Sequence, residues 1–261
     1  MTTRSIELGC GLIGIGRPWG VQETPVPSES QALTFLDTAL LHSIHYFDTA
    51  PSYGLSEERL GKWLQSLSSE QRNQLTIATK FGEHWSTDKQ QSYVDHSFDA
   101  LRQSIDQSLD RLGRIDILQL HKTSPEVLQS EDLHKAWDYA RLQGILRLGV
   151  SVSDTVSGEM ACEDDQYELI QLPFNQSNTT LAPVILKAIN AGKLIATNRP
   201  FNMGETVSNS SVKANRSTLE EQAFAFILQQ GFTGFVLTGT KSPEHLIENI
   251  EAFTKAYDLS A

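Results

Sequence analysis

Strand-sized apolar runs recur eight times along the 261-residue chain, nearly all separated by amphipathic helical patterns. That alternation predicts an α/β fold, a single (β/α)8 TIM barrel spanning residues 1–261. Two further observations agree. The length sits near the roughly 250 residues of one such barrel, and polar side chains follow directly on successive apolar runs, where such a barrel carries its active face. An open, doubly wound sheet with fewer strands is the competing architecture.

Taken in order, the first strand falls at Leu8 to Ile13, an apolar stretch broken by glycine. Gly9, Gly11 and Gly14 spell G-x-G-x-x-G, the spacing that cradles a dinucleotide pyrophosphate when a helix opens within it. Here Arg17, Pro18, Trp19, Gly20, Pro25 and Pro27 follow, so no helix is expected before about Ser28 and that reading lacks its helix N-terminus. Ala32, Leu33, Leu36, Ala39 and Leu40 then mark a helical stripe. Strands follow at Tyr46 to Phe47, Leu75 to Ala78 and Ile115 to Leu120, with a helix on Leu101, Ile105, Leu109 and Leu112 between the last two. Ile145 to Val152, Leu169 to Leu172 and Leu194 to Ala196 give three more strands, and Val156 to Tyr167 is the weakest helical pattern. The serine- and asparagine-rich stretch from Ser208 to Ser217 reads as a rim loop, because a helix (Ala223, Phe224, Ile227, Leu228) and a strand (Phe235 to Leu237) must still complete the barrel. Leu246, Ile250 and Phe253 close the pattern as a final helical stripe.

Composition narrows the function. Hydrophobic residues at 39% and charged residues at 20% suit a packed globular chain, and 21 basic against 32 acidic side chains leave a formal charge of −11. Nucleic acid and anionic membrane are disfavoured as partners, since both need a concentrated positive face. Cys10 and Cys162 are too few for a disulfide scaffold and lack the paired spacing of a zinc site, so a reduced, cytoplasmic setting without a bound metal is expected. No run approaches the roughly 18 apolar residues of a membrane span. The oligomeric state is left open.

Three consecutive strands deliver polar residues to the expected active face: Tyr46-Phe47 ends at Asp48, Ile77-Ala78-Thr79 at Lys80, and Leu118-Gln119-Leu120 at His121, while Tyr53 follows Asp48 by one short loop. Each alone has a plain structural reading as a turn cap, a rim ion pair, a carbonyl-bound imidazole or a packing ring. Together they can move a proton. A tyrosine titrating near 10 needs a cation to stabilise its phenolate; Lys80 supplies one, Asp48 can hold Lys80, and His121 can hydrogen-bond a substrate oxygen. The set suits any carbonyl that becomes an oxyanion, by hydride addition or by enolisation, and Lys80 alone also suits a Schiff-base aldolase.

The stretch Asp48-Thr49-Ala50-Pro51-Ser52-Tyr53-Gly54-Leu55-Ser56-Glu57-Glu58-Arg59-Leu60-Gly61 resembles the signature of the aldo-keto reductase superfamily. Thr79-Lys80, Leu120-His121, Gly149-Val150-Ser151, Gln171 and Glu248-Asn249 follow in its order, so the resemblance covers nearly the whole chain. It implies a (β/α)8 barrel holding NAD(P)(H) in extended form, with Tyr53 as general acid/base and Asp48, Lys80 and His121 completing a tetrad.

The residues themselves mark an anion site after the last strand. Gly239-Thr240-Lys241 leads to Ser242, a fitting N-cap, and Pro243, a fitting first helical residue. The resemblance implies that Gly239, Thr240, Lys241 and Ser242 hold the adenosine phosphate, with Glu248 and Asn249 near the adenine and Ser151, Gln171 and Asp48 near the nicotinamide. Val152 stands where many relatives carry an amide-binding asparagine, and Thr197-Asn198-Arg199-Pro200-Phe201 replaces a stacking tyrosine, with Arg199 counted among the cofactor contacts. His245 falls where many relatives place an arginine for the 2′-phosphate, so a modest preference for NADP(H) over NAD(H) rests on Lys241 and the helix end. Trp19, Trp85 and Phe201 are expected on active-face loops, where Trp19 and Trp85 join Tyr53 and His121 around a small-molecule substrate or serve as rim packing. The expected activity is the interconversion of a carbonyl (aldehyde, ketone or sugar) and an alcohol. A nucleotide-sensing regulatory barrel with little turnover is the alternative, followed by the Lys80 aldolase.

Overall fold

The computed structural model of the chain describes residues 6–19, 25–204 and 213–260. Its first half runs β1 (Ile6–Gly11), α1 (Ile13–Gly16), α2 (Glu29–Leu41), β2 (Tyr46–Asp48), α3 (Ser56–Ser66), α4 (Ser69–Asn73), β3 (Thr76–Phe81), β4 (Glu83–Ser86), β5 (Gln91–Val94) and α5 (Phe98–Leu112). The second half runs β6 (Ile117–Leu120), α6 (Pro125–Leu128), α7 (Glu131–Leu142), β7 (Arg147–Ser151), α8 (Thr155–Glu163), β8 (Tyr167–Pro173), α9 (Ala182–Asn190), β9 (Leu194–Asn198), α10 (Lys213–Leu228), β10 (Gly234–Thr238) and α11 (Pro243–Ser260).

Eight of these strands form a closed parallel barrel in the ring order β1-β10-β9-β8-β7-β6-β3-β2. Closure rules out the open doubly wound sheet, because β1 pairs in parallel with β2 on one side and β10 on the other. All eight predicted strands are present, with ends shifted by a few residues: the first stops at Gly11 rather than Ile13, and the fourth starts at Ile117 rather than Ile115.

The lumen explains where the polar residues stand. Side chains alternate along a strand, so residues two apart share a face. Tyr46, Ala78, Ile117, Leu169, Ala196 and Leu237 form one buried apolar cluster inside the barrel. Two positions further toward the C-terminal ends of the same strands come Asp48, Lys80, Gln119, Gln171, Asn198 and Gly239. An apolar floor thus carries a mostly polar layer on the face where such barrels hold their sites. Gly9 belongs to this floor: a Cβ there would stand 3.0 Å from both Leu237 Cδ2 and Tyr46 Cδ1. Packing, not phosphate binding, accounts for that glycine of the G-x-G-x-x-G spacing.

Three expectations are corrected. A single helical turn, α1, does form before Ser28, ended by Arg17 in extended backbone; four residues are too few to show a periodicity, and Pro18 stops it. α2 begins as expected after Ser28, whose side chain and Gln31 cap each other reciprocally. The Ser208 to Ser217 loop is the second case: residues 205–212 lie outside the described residues, and from Lys213 the backbone is already α10. The third is an antiparallel hairpin of β4 and β5 on the rim, in which Trp85 pairs with Ser92, where a plain loop was expected.

Candidate active site

Lys80 and Asp48 meet inside the barrel, with Lys80 Nζ 2.5 Å from Asp48 Oδ2 and both side chains almost wholly buried. The same ammonium donates to the Thr49 carbonyl at 3.0 Å. Asp48 accepts two further hydrogen bonds, from Gln119 Nε2 at 3.0 Å and Gln171 Nε2 at 3.3 Å. A buried charge pair is tolerated only when its remaining valences are filled, and these donors fill them. Tyr53 closes a 3₁₀ turn (Pro51–Tyr53) directly after β2. Lys80 Nζ lies 4.9 Å from the centre of the Tyr53 ring, and His121 presents its ring edge-on to Tyr53 with centroids 6.1 Å apart. All four predicted residues are therefore neighbours.

Their electrostatics divide the roles. Burial pushes the Tyr53 phenol above the usual tyrosine range, and the pull of Lys80 in the other direction does not overcome it. Burial alone would discharge Lys80, but Asp48 and Tyr53 outweigh it and hold the ammonium above the usual lysine range. Burial, aided by Lys80, Lys122 and Arg17, drives His121 well below the usual imidazole range, so the ring is neutral at neutral pH. Charged Lys80 is a poor Schiff-base nucleophile, which needs the free amine.

The rest of the Asp48 to Gly61 stretch is scaffold. Thr49 Oγ1 donates to Ser56 Oγ, and Ser56 Oγ to the Leu12 carbonyl at 3.1 Å, tying the Tyr53 turn to β1. Arg59 donates to the Ile15 carbonyl. The buried Glu57 carboxylate accepts from Thr79, Ser108 and Arg111, which anchors α3 to β3 and α5. Gly54 has φ +62°, and a Cβ there would lie 2.6 Å from the Gly16 carbonyl oxygen.

A cavity of about 470 Å³ opens above this cluster and is lined by Asp48, Tyr53, His121, Ser151, Gln171 and Arg199, together with Trp19 and Gly239. Ser151 and Gln171 sit side by side in register on β7 and β8. Gln171 Oε1 and Asn198 Oδ1 are buried acceptors without a partner. Such atoms in a cavity call for a ligand donor, and a nicotinamide carboxamide is one. The remaining predicted cofactor residues gather at the α11 N-terminus instead. Ser242 Oγ accepts from His245 N at 3.2 Å and donates to Glu244, Thr240 Oγ1 accepts from Ser242 N, and Lys241 donates to the Pro25 carbonyl. Asn249 donates to Thr238 Oγ1 at 2.6 Å and leaves its own Oδ1 buried and unpaired, while Glu248 faces a groove shared with Arg216, Glu220, Glu244 and Glu251. Trp85 lines a neighbouring cavity of about 520 Å³ rather than this one, and Phe201 packs edge-on against Phe224.

Four site residues escaped the sequence reading, Asn198 of the cavity lining among them. Gln119 was hidden inside an apolar run, although its position two residues after Ile117 places it on the lumen face. Glu83 lies on the unforeseen hairpin, with Oε2 3.1 Å from His121 Nδ1 and Oε1 3.3 Å from Lys122 Nζ. Arg17 follows α1 and lines the cavity. Among the described residues no helix is long and apolar enough to cross a membrane, and no group of His, Cys, Asp and Glu could hold a metal ion.

Residues 7–204 match the model of the aldo/keto reductase family. The chain is 25% identical to an uncharacterised oxidoreductase of Bacillus subtilis, over 94% of this chain and 86% of that one. It is 27% identical to D-threo-aldose 1-dehydrogenase of a Pseudomonas species, over 86% and 83% of the two chains. Its fold is similar to the holo form of an aldo-keto reductase from Bacillus halodurans, with a TM-score of 0.78 at 20% identity over 94% of this chain and 86% of that one. A match over most of the sequence, on a barrel of the same architecture, makes this chain a member of the aldo/keto reductase family and an oxidoreductase of carbonyl and alcohol groups.

Proposed function

We propose that residues 1–261 form one catalytic domain, an NAD(P)(H)-dependent carbonyl reductase or alcohol dehydrogenase in which Tyr53 carries the proton. The observation that carries this reading is the buried Lys80–Asp48 pair set against Tyr53 and His121 beneath one cavity. The cofactor, when bound, supplies or accepts the hydride at the reacting carbon. The chain does the rest. In reduction the Tyr53 hydroxyl donates its proton to the carbonyl oxygen as negative charge develops there, and the Lys80 ammonium stabilises the phenolate left behind. Asp48 keeps Lys80 charged and in place. Neutral His121 lines the same cavity and fixes the substrate oxygen by hydrogen bonding.

The residues present fit the cofactor in two places. Ser151, Asn198 and the unpaired Gln171 Oε1 would hold the carboxamide end, with Asp48 and Arg199 beside them. The N-terminus of α11, with Gly239, Thr240, Lys241 and Ser242 before it and His245, Glu248 and Asn249 along it, would hold the adenosine end. Lys241 donates to the Pro25 carbonyl just before the α11 N-terminus, and a cation at this place favours the 2′-phosphate of NADP(H) over NAD(H). Trp19 lines the mouth as an apolar wall. The substrate is a small carbonyl compound or its alcohol, of which the aldose taken by the Pseudomonas relative is one class. Titrating the purified protein with NADPH and NADH, then adding aldehydes, ketones, sugars and alcohols while following nicotinamide absorbance, tests the reading. Binding with substrate-dependent absorbance change supports it; tight binding without turnover favours a nucleotide-sensing barrel.

A further inference from the structure

The loop after β1 carries a cation that neither the proton step nor the hydride step uses. Arg17 lines the cavity that holds Tyr53 and His121, and also the adjoining cavity beside the β4–β5 hairpin. Its guanidinium carbon lies 5.6 Å from the centre of the Trp19 ring and 5.2 Å from that of Trp85. Ring contacts engage the faces of a guanidinium and leave its N–H edge for acceptors in the plane. Arg17 Nε is sealed from solvent with no acceptor, and among the described residues no carboxylate pairs with this side chain. An enclosed donor left unmet costs folding free energy, so it marks a place where a ligand acceptor is gained.

Both carboxylates that line the cavity are already committed, Asp48 to Lys80 and Glu83 to its own neighbours. Glu83 faces Lys122 and His121 and accepts from Ser92 Oγ at 3.0 Å. Arg17 is also held in fixed relation to Tyr53. The Gly16 carbonyl accepts from Leu55 N at 3.1 Å, and a Cβ on Gly16 would fall 1.8 Å from the Tyr53 carbonyl oxygen. Only glycine lets the two loops lie this close.

We propose that Arg17 receives a carboxylate on the substrate, so that this chain acts on compounds bearing both a carbonyl and a carboxylate: aldehyde acids, oxo acids or sugar acids. The identity of the reacting group rests on the oxidoreductase reading above; the anion site rests on Arg17 itself. A planar carboxylate matches the fork and the single positive charge of one guanidinium. A phosphate dianion would call for a second cation; of the two others lining the cavity, Lys122 is taken by Glu83 and Arg199 stands beside the proposed carboxamide site.

Two readouts on the 261-residue chain test this. The first compares kcat/KM for succinic semialdehyde with butanal, and for glucuronate with glucose, in the parent chain and in Arg17→Met. The acids are preferred by about tenfold or more, and Arg17→Met removes that preference chiefly through KM. The second needs no turnover: succinate and its diamide are titrated against the emission of Trp19 and Trp85, which flank Arg17. A saturable change with succinate alone, lost in Arg17→Met and partly kept in Arg17→Lys, supports the proposal even where no substrate turns over, in which case it is the oxidoreductase reading that fails. Turnover with no preference for either acid, together with no succinate signal, overturns the anion site and leaves the oxidoreductase reading standing. If Arg17→Met does not fold, Arg17→Lys with the same two readouts decides, since lysine keeps the charge but not the fork.

Discussion

Asp48 holds Lys80 at 2.5 Å inside the barrel, and the ammonium of that pair lies 4.9 Å from the centre of the Tyr53 ring. Without Asp48, burial would favour neutral Lys80, and Tyr53 would lose the cation that makes its phenolate tolerable. Asp48→Asn is therefore expected to cost about 3 kcal/mol of stability, as for other buried pairs broken on one side, and to remove most turnover. Urea unfolding and steady-state kinetics check it; an unchanged unfolding midpoint would show that the pair does not hold the site together.

The pH dependence should differ between directions. Tyr53 sits above the usual phenol range and His121 well below the usual imidazole range, so neither titrates near neutrality. With Tyr53 as the proposed proton donor, carbonyl reduction needs the protonated phenol, and kcat/KM should stay level from about pH 6 to about pH 9, falling only above that. Alcohol oxidation needs the phenolate, so its rate should climb with pH across the same window. A reduction profile falling through neutrality would reassign the proton donor.

Gly16 is a steric requirement of the site. A Cβ there has no room beside Tyr53, because the nearest atom is rigid backbone. Gly16→Ala should destabilise the chain by about 3 kcal/mol, the upper end for overpacking, and lower kcat by misplacing the Tyr53 turn. A variant as stable and active as the parent would mean that the two loops separate freely.

Lys241→Ala should separate the two cofactors. Losing a charge-assisted contact to a 2′-phosphate should weaken NADPH about tenfold or more, with little effect on NADH. Fluorescence titration reads both constants, and equal losses would place the phosphate elsewhere.

What the sequence made legible follows from burial. Parallel strands covered on both faces read as continuous apolar runs, so all eight barrel strands stood out, and the polar residues ending them stood out by contrast. Gln119 did not, because one polar residue inside such a run looks like noise until its lumen partners are known. The β4–β5 hairpin was equally hidden: Glu83-His84-Trp85-Ser86 and Gln91-Ser92-Tyr93-Val94 contain no apolar run, and their pairing is set by the rim rather than by the core. The α11 N-terminus was legible through Ser242 and Pro243, since capping chemistry is local. The Arg17 environment was not, since Trp19 and Trp85 reach it from segments far apart in the chain.

The most direct test of the central claim is carbonyl reduction by Tyr53→Phe beside the parent chain, followed by nicotinamide absorbance after both have been shown to bind the cofactor. The account predicts near-parental cofactor affinity, because the ring is kept, with turnover lowered by about 10² to 10⁴, because the proton donor is gone. Parental turnover in Tyr53→Phe would contradict it and move the proton to another residue of the cavity.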